Sequence, residues 1–374
     1  MVRLKKLSIS NYRGLDNLQY SPKQINLIIG RNNTGKTSLM HAIDFLFSMG
    51  IPSDSIVYPH LEIKNGATTG IIESDINKIR FFKSLENIET KYQNATNEKL
   101  NSLIEKTLKT YKIYKENELK NLIFKHFDFM TVIESNNKIH FFPYYKKFRQ
   151  YDKAEENFKK ELKKIHQTKK RGVDDRFGID FFRTFYTDLF EKSKQGNVIT
   201  LSDENKLDTS FLEELNKLKD LEDSVRESNI IEGFEKLIEE GILYKKDNES
   251  YWLPYGHYGE GVLVFLNLVY NMIKAKNKIL LIEEPENHLH PGYLKIIVEQ
   301  IFLLSKKYNV QIFMTSHSYD LIQETIDYAN KSKRGKTVLI SLMVLDKGMI
   351  KKIDYDISQA TKNVYEFNND LRGI

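Results

Sequence analysis

The chain has 374 residues, 57 Lys and Arg against 51 Asp and Glu, a formal net charge of +6 and no cysteine. That length holds a full α/β core with room for one sizeable insertion, and the charge imbalance is too mild for a polybasic nucleic-acid tail. The lack of cysteine excludes a disulfide framework, a thiolate zinc site and a cysteine nucleophile, and fits either a reducing, cytoplasmic setting or simple indifference to redox state.

Residues 2–10 place Val2, Leu4, Leu7 and Ile9 among polar neighbours in a roughly alternating, strand-like pattern, with no signal-peptide core. Asn11-Tyr12-Arg13-Gly14 then turns the chain toward a short strand around Leu18 to Tyr20. The apolar run Ile25-Asn26-Leu27-Ile28-Ile29 predicts a third strand, and a helix is expected from Lys36 to Phe47. Between them Gly30-Arg31-Asn32-Asn33-Thr34-Gly35-Lys36-Thr37, followed by Ser38, is a complete GxxxxGK[ST] phosphate-binding loop. Glycine-permitted turns aim backbone N–H donors at a triphosphate, Lys36 reaches its terminal phosphates, and the Thr37 hydroxyl suits Mg²⁺.

The strand–helix rhythm then stops. From about residue 75 to 240 the chain is dense in Lys, Glu and Asn, with helical spacing in Tyr151, Ala154, Phe158, Leu162 and Ile165 and again in Leu212, Leu215, Leu218, Leu221 and Val225. Thr168 to Asp175 reads as a loop or helix tip. The basic concentration Lys159, Lys160, Lys163, Lys164, Lys169, Lys170 and Arg171 could neutralise nucleic-acid phosphates, but the interleaved Glu155, Glu156 and Glu161 also suit a solvated helix face. A hairpin is predicted at Lys246-Asp247-Asn248.

Gly256-His257-Tyr258-Gly259-Glu260-Gly261 opens an apolar helix over Val262 to Ile273, either as a tight turn or as an anion-binding helix start for a second subunit's nucleotide. Asn267 and Asn271 break that run, which is shorter than the ~18 apolar residues of a membrane span, so no membrane is expected. Core-type strands follow at Lys278 to Ile282, Val310 to Thr315 and Thr337 to Leu345, with a crossover helix from Tyr293 to Lys306. The first ends in Glu283-Glu284-Pro285-Glu286, where Glu283 would hold Mg²⁺ and Glu284 would polarise the attacking water. The second ends in Thr315-Ser316-His317-Ser318, where His317 would contact the γ-phosphate or that water.

Taken together, these motifs resemble the ATP-binding-cassette class of ATPases, and within it the RecF/SMC-related branch that includes the OLD-like family. Glu283 to Pro291 is similar to the family's E/D-E-P-E-x-x-L-H-P run, Asn11 to Gly14 to its N-[FY]-R-[GS] turn, and Gly259-Glu260-Gly261 to its G-[DE]-G signature start. Asn369 to Gly373 looks like tails of the same group. The resemblance implies an α/β, ABC-type P-loop NTPase head with a mixed sheet, over 1–75 and 240–374; it does not cover the middle, where the spacing predicts a mostly α-helical insertion at 76–239, expected to serve as a dimerisation or partner-recognition arm. It further implies ATP and Mg²⁺ as ligands, Arg13 beside the nucleotide, and a homodimer or higher oligomer with composite sites. In each site Lys36, Thr37, Glu283, Glu284 and His317 of one subunit meet Gly259 to Gly261 of the other. His257 and Tyr258 stand where the usual signature serine would be, which implies slow turnover. The 57 residues after His317 carry two strands and a terminal helix rather than a TOPRIM nuclease pattern, so an effector nuclease or toxin is expected on a separate chain. The expected role is the sensor ATPase of an anti-phage defence system, with a RecF-like DNA-repair ATPase as the alternative.

Overall fold

The computed structural model describes residues 3–47, 63–64, 66–83, 105, 116–135, 138–145, 156–157, 160–161, 164, 198–201, 219–238, 240–287, 289–367 and 369–371. The described strands are β1 (Leu7–Ser10), β2 (Leu18–Tyr20), β3 (Ile25–Ile29), β4 (Thr69–Ser74), β5 (Asn77–Phe82), β6 (Phe127–Ser135), β7 (Lys138–Tyr145) and β8 (Val198–Leu201). They continue with β9 (Phe234–Ile238), β10 (Gly241–Lys246), β11 (Glu249–Pro254), β12 (Ile279–Glu283), β13 (Gln311–Ser316), β14 (Val338–Asp346) and β15 (Met349–Tyr355). The helices are α1 (Lys36–Phe47), α2 (Glu116–His126), α3 (Lys219–Ser228), α4 (Glu260–Lys274), α5 (Pro291–Lys307), α6 (Tyr319–Lys331) and α7 (Ile357–Thr361).

The chain divides into two compact units, one of Met1–Leu7, Gly14–Asp44 and Asn197–Ile374, the other of Ser8–Arg13 and Phe45–Gly196. The first unit carries a mixed six-stranded sheet in the order β15-β14-β3-β13-β12-β8. All neighbours pair in parallel except the β14–β15 hairpin. Every residue of β3 and β13 is buried, as the continuous apolar runs require of central parallel strands. Their two buried amides are satisfied: Asn26 Nδ2 donates to Lys23 O and Ile312 O, and Gln311 Nε2 to Leu4 O and Lys23 O. Ile25, Leu27 and Ile29 join Phe265, Leu266 and Val269 of α4, Ile297 and Ile301 of α5 and Ile322 and Ile326 of α6 in one apolar core. Each such side chain contributes roughly 1.5–3 kcal/mol on burial. Ile29 lies opposite Ser316, and Glu283 opposite Thr315, so β3, β13 and β12 end at one edge of the sheet.

A second, three-stranded sheet of this unit, β11-β10-β9, contains the predicted hairpin, with Lys246 opposite Glu249 and the turn residues Asp247 and Asn248 at φ 52° and 68°. The crossover helix lies where the spacing predicts it, and after β15 comes α7, held by a reciprocal capping box between Asp356 and Gln359 and followed by a π-helical turn over Lys362–Glu366.

In the second unit β4, β5, β6 and β7 pair antiparallel in that order. Ile72 faces Ile79, which faces Ile133, while Phe81 stacks on Tyr12 at 5.5 Å between centroids. The described part of 76–239 therefore includes strands as well as helices. Asn77, Ile79 and Phe81 are buried and Lys78 and Arg80 are not, a period-two pattern that the Lys-rich composition masks. Of the two helical repeats read from the sequence, Leu221 and Val225 are buried in α3. Leu212 to Leu218, the Tyr151, Ala154, Phe158, Leu162 and Ile165 repeat, and Thr168 to Asp175 lie outside the described residues. So do Lys159, Lys163, Lys169, Lys170, Arg171, Arg372 and Gly373, whereas Lys160 and Lys164 are described and helical.

Candidate functional site

The site grows from the end of β3. Gly30 takes φ 144°, Asn33 62° and Gly35 89°, conformations that curl the backbone around a small volume before α1 begins at Lys36. A Cβ on Gly30 would lie 2.3 Å from Met343 O and 2.9 Å from Thr34 Oγ1, so only glycine fits there. Gly35 is packed from outside the loop by Leu15 and Ile350. The Thr34 hydroxyl donates to Arg31 O at 2.8 Å. Lys36 is buried, and its ammonium donates to Gly30 O at 2.8 Å and to Arg31 O at 2.9 Å. Burial lowers the Lys36 pKa, and the charges of Glu284 and Glu286 oppose that shift only in part. Arg31, Asn32, Asn33 and Thr37 are exposed and Ser38 is half-buried.

At the neighbouring edge β12 delivers Glu283, half-buried, and Glu284 follows in a left-handed conformation, φ 45°. Its N–H donates to Thr315 O at 3.1 Å, which carries the β12–β13 ladder one residue further. The Glu284 side chain is held at both oxygens: Asn287 Nδ2 donates to Oε2 at 3.2 Å, and His317 Nδ1 lies 3.1 Å from Oε1. The expected pairing of the Glu284 and His317 strands is what the register delivers. His317 itself is exposed at 48% of its side chain, open to a ligand on its other face.

Two residues to which the motif reading gave no role join this group. Asn287 orients Glu284, and Glu286 Oε1 accepts from Ser316 Oγ, His317 N and Ser318 N at 2.6, 3.1 and 3.2 Å. Glu286 was legible only as the third acid of a run, since its partners stand 30 to 32 residues away.

Gly259 N-caps α4 without a side-chain cap, and Glu260 is the acid of its first turn. A Cβ on Gly261 would lie 3.1 Å from the Tyr293 ring, so that glycine also permits α4 and α5 to approach. Arg13, in the second unit, has φ 49° and sets its guanidinium 5.7 Å over the Tyr12 ring. Lys36, Glu284, Glu286 and His317 form the group that the fold brings together. Among the described residues no helix is long and apolar enough to cross a membrane.

Residues 25–323 match the family described as AAA domain, putative AbiEii toxin, Type IV TA system. A curated relative from Methanocaldococcus jannaschii, uncharacterized protein MJECL11, is 36% identical over 73 residues, 20% of this chain and 64% of that protein. The chain thus spans a little under two thirds of that relative's length. Among solved structures, the Smc head domain with an extended coiled coil bound to the C-terminal domain of ScpA, from Pyrococcus furiosus, is 13% identical with a TM-score of 0.47, covering 98% of this chain and 99% of that one. The SMC head domain from Thermotoga maritima is 11% identical with a TM-score of 0.44, covering 95% of this chain and 100% of its own. The family match runs from the strand that feeds the phosphate loop, through the paired acids, past His317, and takes in well over half of the chain: the protein belongs to this AAA-domain family.

Proposed function

We propose that the protein is an ATP-binding and slowly hydrolysing switch. The observation that carries this reading is the Glu284–His317 pair at 3.1 Å, at the same sheet edge as a phosphate loop whose Lys36 ammonium feels both Glu284 and Glu286. The loop N–H groups and Lys36 bind the triphosphate, Lys36 exchanging its loop carbonyls for phosphate oxygens. Glu284, fixed by Asn287 and His317, takes the proton of the attacking water, and His317 stands beside it to donate to phosphate or orient the water. Thr37 and Glu283 supply hard oxygen donors of the kind Mg²⁺ takes. Held by these residues, the ion would supply positive charge to offset that of the triphosphate.

Arg31 to Thr34 and Ser38 complete the nucleotide contacts in this reading, Arg13 belongs to it by the resemblance alone, and Gly259, Glu260 and Gly261 serve the nucleotide of a second copy. ATP then closes a homodimer or larger homo-oligomer and hydrolysis releases it. In this reading the part of 76–239 that falls in the second unit forms the dimerisation or recognition arm, and the first unit, which takes in β8, α3 and β9, the head. The E-P-E-x-x-L-H-P run supports an OLD-like assignment within the ABC class. The family description reads putative AbiEii toxin, Type IV TA system, and within that family our reading is a cytoplasmic sensor ATPase that controls a separate effector chain in anti-phage defence.

Direct action on DNA, as in RecF-like repair, is the second reading. The basic run favours it, yet the described Lys160 is paired with Glu156 one helical turn away at 2.6 Å, as on a solvated face.

The test is Glu284→Gln, which keeps the shape and removes the base. ATP affinity should hold within a few-fold while turnover falls by about 100-fold or more. Wild-type turnover in that variant would end the assignment of Glu284 as base. Stimulation of the wild-type ATPase by duplex DNA, lost at higher salt, would favour the repair reading instead.

A further inference from the structure

Glu286 lies three residues beyond the end of β12, yet its side chain turns away from the open edge and reaches into the chain that leaves β13. One oxygen, Oε1, collects the Ser316 hydroxyl at 2.6 Å, the His317 N–H at 3.1 Å and the Ser318 N–H at 3.2 Å. These donors are consecutive, and they precede α6, whose N-cap Ser318 accepts from Leu321 N. Ser316 Oγ also accepts from Ser318 N at 2.9 Å, so the three-residue bend is closed on itself and on Glu286. The second oxygen, Oε2, is buried and has no hydrogen-bond partner among the described residues, so the side chain is held by Oε1 alone. A buried carboxylate oxygen left unpaired is costly, and the fold tolerates this one where the other oxygen makes three bonds.

The same bend carries the His317 ring to Glu284 Oε1. Two acids of one turn thus grip one histidine, Glu286 by its backbone N–H and Glu284 by its ring.

We infer that Glu286 is a positioning residue for hydrolysis, fixing the Ser316–Ser318 bend so that His317 meets Glu284 and the terminal phosphate. This rests on the reading of Glu284 and His317 as the hydrolytic pair. Glu286 acts through His317, without touching substrate, so its effect belongs in kcat and disappears when the histidine is gone. Reach matters more than charge, because all three bonds fall on one oxygen that a glutamine amide reproduces and an aspartate, one methylene shorter, does not.

The experiment measures steady-state ATP turnover, with thermal unfolding alongside, for wild type, Glu286→Ala, Glu286→Gln, Glu286→Asp, His317→Ala and Glu286→Ala/His317→Ala. Glu286→Ala should lower kcat on the order of 10–100-fold with KM within about threefold. In the His317→Ala background the same change should cost less than about threefold. Glu286→Gln should recover most of the loss and Glu286→Asp less. An equal loss in both backgrounds, a loss confined to KM, or Glu286→Asp outperforming Glu286→Gln overturns the proposal, and the last comparison decides even if the alanine variant fails to fold. A wild-type chain that binds ATP without turning it over overturns the underlying reading, and this proposal with it, whereas an active wild type with an indifferent Glu286 overturns this proposal alone.

Discussion

Gly30 shows how little freedom the nucleotide loop has at single-residue scale. Its φ of 144° lies in a region that side-chain-bearing residues rarely adopt, and the missing Cβ is what lets Met343 O approach. Gly30→Ala should therefore cost on the order of 1–3 kcal/mol in urea unfolding and abolish measurable binding of a fluorescent ATP analogue. Gly256→Ala is the matched control: a Cβ there meets nothing within 4 Å, so its stability should stay within about 0.5 kcal/mol of wild type. Glu284 shares the exceptional backbone, with φ 45° on a residue that has no glycine-like licence for it. The strain stands where the side chain must leave the strand direction to be held between Asn287 and His317.

Among elements, the β10–β11 hairpin shows local chemistry carried most directly into structure. Asp247 and Asn248 both take positive φ, the requirement of a two-residue type I′ turn, whose backbone twist matches that of the paired strands. Asn tolerates this region better than most residues, but glycine carries no Cβ penalty there. Asn248→Gly should accordingly raise unfolding stability by roughly 0.5–1 kcal/mol, read from the denaturation midpoint at unchanged slope. The strand ends at the nucleotide edge are set differently. β12 and β13 are joined by one more backbone bond at Glu284, and beyond it the Glu286 side chain takes over from the ladder, so two separate segments terminate as one structure.

At the scale of the whole molecule, the proposed switch needs a second copy, because the helix start at Gly259 to Gly261 is assigned to a partner's nucleotide. In Glu284→Gln, where bound ATP persists, light scattering after gel filtration should show ATP shifting the chain from monomer toward dimer, with ADP leaving it unshifted. No shift at protein concentrations well above ATP saturation would remove the composite-site model while leaving ATP binding intact.

The amino-acid sequence by itself determined the elements whose cause is local. Ile25–Ile29, Lys36–Phe47, Asp247-Asn248 and Met349–Tyr355 form where their own apolar runs, glycines and turn residues place them, because those preferences act over a few residues. It determined the phosphate loop for the same reason. Strand content in 76–239 escaped because alternation as short as Asn77 to Phe82 is swamped by charged helix formers around it. Only the tertiary structure decided what those segments meet. Leu4 with Gln311, Gly30 with Met343 and Glu286 with Ser316 to Ser318 are joined across long separations by parallel strands in the order β14-β3-β13-β12, which inserts β3 from the start of the chain between strands from its end. Hydrogen bonds depend on distances of about 3 Å in space, which no spacing along the chain encodes. That is why three acids within four residues are visible in the sequence, and only packing separates the one that holds the histidine's backbone from the one that faces its ring.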